Sequence, residues 1–222
     1  MKNIFNKDNF MKLSLLKKSL CIFGLAFVII GIVFVILSFN REILDDKYII
    51  KTVTEYTSSN NKKLANGEMN ASKNIEYIEK GIYKVTYTNY AKESNGKKLI
   101  EDNSYFYITD MLGKGYELDT TKVKINNKKL NLEDNTFFSS GGINMSYENN
   151  VVNIEIPSTM LFNKNTIEIY IKLVGRDIGV KYPTSQETYF SFIPSIDNDF
   201  YNKKTAQSYV IDGYSYIELD KK

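Results

Sequence analysis

The feature that most constrains this chain is residues 20–39, LCIFGLAFVIIGIVFVILSF, twenty consecutive positions without a charge. A helix rising ~1.5 Å per residue covers the ~30 Å of bilayer hydrocarbon over that length. Fifteen of the twenty are Leu, Ile, Val or Phe. At roughly −0.3 to −0.6 kcal/mol each, they favour insertion by on the order of −5 to −9 kcal/mol. The flanks give the orientation. Lys2, Lys7, Lys12, Lys17 and Lys18 precede the run, whereas Arg41, Glu42, Asp45, Asp46 and Lys47 follow it as a mixed group. The positive-inside rule therefore predicts a cytoplasmic N-terminus and an extracellular C-terminal part. A cleaved signal peptide is the alternative. The run is longer than an ordinary h-region, its exit Leu37-Ser38-Phe39-Asn40 has no A-x-A-like site, and Lys18-Ser19-Leu20 before Cys21 makes a poor lipoprotein site. The expected organisation is a cytoplasmic tail (1–19), a transmembrane helix bounded by Leu20 and Phe39, a stalk (40–47) and one domain (48–222).

Charge and cysteine usage narrow the function classes. Residues 1–40 hold five Lys and one Asp, a net of +4, out of a whole-chain net of +3. The exported part is thus near neutral, with no broad cationic face for nucleic acid. Cys21 is the only cysteine and lies inside the apolar run, so no intramolecular disulfide can form. An exported domain without disulfides, rich in Asn, Lys, Ile and Tyr, fits a Gram-positive bacterial source. With no His anywhere, there is no Ser-His-Asp or Cys-His pair and no zinc site of the usual kind. Ser139-Ser140-Gly141-Gly142 is a loop without the lysine and helix of a phosphate cradle. The acidic groups Asp197-Asn198-Asp199, Glu133-Asp134 and Asp45-Asp46 lack a calcium loop's spacing and read as solvated loops. No catalytic residues, cofactor or metal are expected.

After Lys47 the pattern is strand-like. Candidate strands are 48–53, 82–88, 104–109, 122–125, 151–156, 166–174, 188–193 and 205–211, each β-branched, aromatic or alternating. Residues 207–211 and 214–219 flank Asp212-Gly213, a hairpin signal. Segments 58–70, 89–98, 126–129 and 144–150 carry the Asn, Ser, Gly and Lys of turns. One short helix is expected within 68–80. Many short strands at close intervals predict a β-sandwich, with most of the 17 Tyr and 13 Phe in its core.

Several segments in order resemble the immunoglobulin-like domains of Gram-positive fimbrial and surface-adhesin proteins. They are Lys51-Thr52-Val53, Tyr83-Lys84-Val85-Thr86-Tyr87-Thr88-Asn89, Ile108-Thr109-Asp110-Met111-Leu112-Gly113-Lys114-Gly115-Tyr116, Val123-Lys124-Ile125-Asn126-Asn127-Lys128, the strand Thr166 to Leu173, and Lys204-Thr205-Ala206-Gln207-Ser208. The resemblance implies an all-β, immunoglobulin-like sandwich after the membrane helix. Within the Asp110 turn, the carboxylate is expected to bond nearby backbone N–H groups and Gly115 to take φ > 0. Some members of that family join a first-strand Lys to a last-strand Asn through an isopeptide bond, assisted by a buried acid. The implied counterparts are Lys51, Asn202 and Asp110. Lys204 stands at the family's Asn position, and Gly113 replaces its Pro.

The function expected is a membrane-anchored extracellular module for binding or structural interaction at the cell surface. Its partners would be the bilayer, through 20–39, and a protein or cell-wall glycan. An accessory component of a secretion, pilus or conjugation complex is the alternative, and a surface hydrolase a third reading. The chain ends Leu219-Asp220-Lys221-Lys222 with no L-P-x-T-G signal, so sortase attachment is not expected.

Overall fold

A computed structural model describes residues 42–45, 47–64, 66–94, 99–130, 137–194, 207–211 and 213–222. The apolar run, and with it the expected transmembrane helix, lies outside them. Among the described residues no helix is long and apolar enough to cross a membrane. Residues 43–222 form one compact unit.

In chain order the strands are β1 (Glu42–Ile43), β2 (Tyr48–Val53), β3 (Tyr56–Leu64), β4 (Gly67–Glu79), β5 (Ile82–Glu93), β6 (Tyr105–Leu112), β7 (Tyr116–Leu118), β8 (Val123–Ile125) and β9 (Lys128–Leu130). They continue as β10 (Phe137–Ser140), β11 (Ile143–Glu148), β12 (Val151–Pro157), β13 (Asn165–Leu173), β14 (Lys181–Pro183), β15 (Ser185–Phe192), β16 (Gln207–Val210) and β17 (Tyr216–Lys221). A single 3₁₀ turn, Ser158–Met160, is the one helical element among the described residues.

Three sheets result. The largest runs β3-β4-β5-β13-β8-β9, with β7 also on β13; the second runs β10-β11-β12-β6-β15-β16; the smallest runs β1-β2-β17-β14. Alternation explains how the two large sheets meet. On β5 Tyr83, Val85, Tyr87 and Asn89 are buried while the residues between them are half-exposed; on β6 Phe106, Ile108, Asp110 and Leu112 are buried. These inward rows join one continuous hydrophobic core, as expected of a sandwich. Phe106, Phe190, Phe192 and Tyr209 form a ring stack within it, with centroids 5.2–6.4 Å apart. The small sheet is fixed to the largest by Tyr83, whose hydroxyl lies 2.9 Å from the Thr54 carbonyl oxygen and 3.1 Å from that of Tyr216.

Turn chemistry is legible at the hairpins. Asn126-Asn127 (φ 49° and 65°) and Asn149-Asn150 (φ 51° and 64°) each close a two-residue loop. Positive φ at both positions matches the right-handed twist of the strands they join.

Several expectations are corrected. Residues 68–80 are not helical but lie almost wholly in β4, the longest strand. Met69, Ala71, Lys73 and Ile75 face inward there, and a lysine in an apolar slot hides the alternation. Segment 58–70, expected as turn, is mostly the β3–β4 hairpin, and β5 and β11 run into 89–98 and 144–150. Ser139 and Ser140 end a strand rather than a loop. Nor is Asp212-Gly213 a hairpin turn. Asp212 itself is outside the described residues, but β16 pairs with β15 while β17 pairs with β2 and β14. The chain changes sheets at that point. Glu133-Asp134 and Asp197-Asn198-Asp199 also lie outside the described residues.

A buried lysine–aspartate cluster between the sheets

Two cross-strand pairs face one another across the sandwich. In the largest sheet Lys73 of β4 stands opposite Tyr87 of β5. In the facing sheet Asp110 of β6 stands opposite Thr188 of β15. Each residue occupies an inward slot of its strand, so strand periodicity alone brings all four side chains together.

Lys73 Nζ lies 2.5 Å from Asp110 Oδ2, with side chains 1% and 0% exposed. The ammonium also donates to Thr188 Oγ1 at 3.0 Å and to Ser185 Oγ. Tyr87 donates its hydroxyl hydrogen to Asp110 Oδ2 at 2.6 Å, and Thr188 donates to Oδ1 at 2.9 Å. The carboxylate thus accepts from three side chains and the amine reaches three oxygens. A charge taken out of water needs compensation of this kind, because the desolvation penalty is several kcal/mol per ion. Burial lowers the Lys73 pKa, with the attraction of Asp110 opposing that shift. Burial, then the adjacent Asp110 charge, pushes the Tyr87 hydroxyl well up.

Of Lys51, Asn202 and Asp110, the structure describes Lys51 and Asp110, one at the surface and the other buried. Asp110 is at the centre of a polar site, but its lysine is Lys73 and not Lys51. On β2 it is Ile50 that faces in, so Lys51 points outward, where it is 46% exposed and 2.7 Å from Glu218. Asn202 and Lys204 lie outside the described residues. The Asp110 carboxylate also does not serve its own turn, being committed across the sandwich. Gly115 does take positive φ, at 98°. Gly113, standing where the resembled family has Pro, is required by packing, because a Cβ there would come 1.6 Å from the Pro183 carbonyl oxygen.

Chemically, an amine and a carboxyl in a dry site can condense, forming Nζ–Cγ and expelling one carboxyl oxygen as water. That needs a neutral amine and a protonated acid. Here the two groups are set as an ion pair, and an ammonium and a carboxylate do not condense in that form. Among the described residues Lys73 makes no hydrogen bond to a side-chain amide; its partners are Asp110, Thr188 and Ser185. Among the described residues, too, no group of three or more His, Cys, Asp or Glu could hold a metal ion. One further buried amide stands nearby in sequence: Asn89, inward-facing on β5, has both side-chain polar atoms without a hydrogen bond.

No protein-family model and no curated protein sequence matches the chain. Among solved structures it is similar to the RrgA Jo.In complex, at 12% identity and a TM-score of 0.41 over 72% of this chain and 86% of that one. It is similar to the collagen-binding domain from a Staphylococcus aureus adhesin, at 10% identity and a TM-score of 0.36 over 64% of this chain and 95% of that one. It is also similar to the collagen binding domain of the Erysipelothrix rhusiopathiae surface protein RspB, at 11% identity and a TM-score of 0.33 over 79% and 80% of the two chains. These solved structures are adhesin or pilin domains from Gram-positive bacteria.

Proposed function

We propose that this chain is a single-pass membrane protein whose immunoglobulin-like sandwich stands outside the cytoplasm and binds a protein or cell-wall partner. The charge-free run at 20–39 and the lysines before it support the anchor and its orientation. The observation that carries a binding reading over a catalytic one is the burial of the acid–amine–hydroxyl cluster. Lys73, Asp110, Thr188 and Ser185 are closed off between two sheets, and no substrate reaches them without parting the sandwich. The cluster therefore serves the domain's integrity, and recognition falls to its outer surface. Loops and sheet edges are the parts of such a scaffold that ordinarily do so.

The test is protease shaving of intact, wall-stripped cells expressing the full chain. The reading predicts that the sandwich is cleaved without lysis, leaving a membrane-bound N-terminal fragment. A chain that stays whole until the cells are lysed overturns the orientation.

A further inference from the structure

The compact unit begins at Ile43, and only residues 40–42 separate it from Phe39, the last residue of the apolar run. Four residue steps reach at most about 14 Å even when fully extended. Wherever the run is embedded in a bilayer, the surface around Ile43 therefore lies at or just above the headgroups. That surface has an amphipathic composition. Ile43 is 47% exposed, and Ile178 and Val180 are 42% and 43% exposed. Ile178 shares a surface depression of about 410 Å³ with Lys47, Tyr48, Lys221 and Lys222. The backbone holds these together: Lys222 N donates to the Lys47 carbonyl at 3.1 Å, and Gly179 N to the Leu219 carbonyl at 3.0 Å. Nearby carboxylates are engaged locally. Asp45 accepts from Lys47 N and lies 3.5 Å from Arg176, and Asp220 accepts from Lys221 N.

We infer that the face formed by Ile178, Val180, Lys47, Lys221 and Lys222 rests on the bilayer, the apolar side chains entering the interface and the lysines contacting anionic phospholipid headgroups. This rests on the membrane-anchor reading above. Apolar contact plus lysine–headgroup attraction is how peripheral surfaces bind membranes. Such seating fixes the sandwich's attitude. The β4–β5 turn, where Gly81 packs against Leu44, sits beside the lipid. The opposite end of β5, where Ala91 N bonds the Leu161 carbonyl, points away, about 30 Å off at ~3.3 Å per residue.

The chain has no tryptophan, so a single introduced one reports its own surroundings. Full-length chains carrying Ile178→Trp, Val180→Trp or the distal control Phe162→Trp would be reconstituted into vesicles of equal phosphatidylcholine and phosphatidylglycerol with brominated acyl chains. Quenching at positions 178 and 180 is expected to exceed that at 162 by about twofold or more. Adding Lys47→Gln, Lys221→Gln and Lys222→Gln to either proximal reporter should reduce that excess. Equal quenching at all three positions, in chains that co-float with the vesicles, overturns the seating and leaves the anchor intact. Chains that fail to co-float overturn both.

Discussion

Lys73 of β4 and Asp110 of β6 sit in opposite sheets, yet their charged atoms are 2.5 Å apart at the centre of the sandwich. Each strand offers an otherwise apolar inward row, and each places one charge in it. The ion pair thus fixes which β4 residue lies over which β6 residue, a register that apolar contacts alone specify less sharply.

Removing one partner leaves the other charge stranded. Asp110→Ala should cost about 3–5 kcal/mol in chemical denaturation of the full chain in micelles. The double variant Lys73→Met/Asp110→Leu should regain part of that loss, because it removes the stranded ammonium while still leaving the buried Tyr87 and Thr188 hydroxyls without their acceptor. A double variant as unstable as the single one would show that the cluster acts through geometry rather than charge.

Alkaline pH should separate the two titrating partners. The Tyr87 hydroxyl is raised above its ordinary 10.0 in the folded chain. Its contribution is complete below pH 10.0 and is lost as pH climbs toward the raised value, because only the unfolded chain then releases the proton. Lys73 has the opposite sign. With its folded pKa lowered below 10.5, it makes stability rise with pH between the lowered value and 10.5. Denaturation midpoints measured against pH should therefore fall less steeply above pH 10 for Tyr87→Phe. A slope unchanged from the parent chain would contradict the assignment.

Gly113 has no room for a side chain. With a Cβ only 1.6 Å from the Pro183 carbonyl oxygen, Gly113→Ala must displace backbone at the junction of β6 and β14. A loss of about 2–3 kcal/mol is expected, read by thermal unfolding beside Gly141→Ala. A Cβ at Gly141 meets nothing within 4 Å, although its positive φ carries a smaller cost.

The cluster should remain an ion pair. Intact mass of the purified chain is expected to equal that of the sequence. A deficit of one water would mean that Lys73 and Asp110 have condensed. A deficit of one ammonia would instead point to an amide such as Asn202.

Much of this fold was legible in the chain. The 48–53 strand and the cores of β5, β6, β12 and β13 follow from alternation, and Asn-rich turns from their φ > 0 tolerance. What escaped has physical causes. The β3–β4 hairpin is built from Asn, Ser and Lys, because β3 is a sheet edge with mostly solvent-facing residues. Lys73 broke the apolar row that would have revealed β4. The Asp212-Gly213 signal is local, whereas the sheet change it accompanies depends on partners far away in sequence. The motif draws attention to Asp110, but the lysine that the structure places against it is Lys73 of β4, whereas Lys51 of β2 pairs with Glu218 at the surface. A charge in an inward slot on each of two facing sheets is the signal that would have found Lys73.

The most direct test of the account uses Cys21, the only cysteine. In a Cys21→Ser chain carrying Ser139→Cys on the exposed edge strand β10, a membrane-impermeant maleimide would be applied to intact, wall-stripped cells. Labelling at position 139 equal to that in lysed cells is the predicted result. Labelling that appears only after lysis would place the sandwich inside the cell and contradict the account.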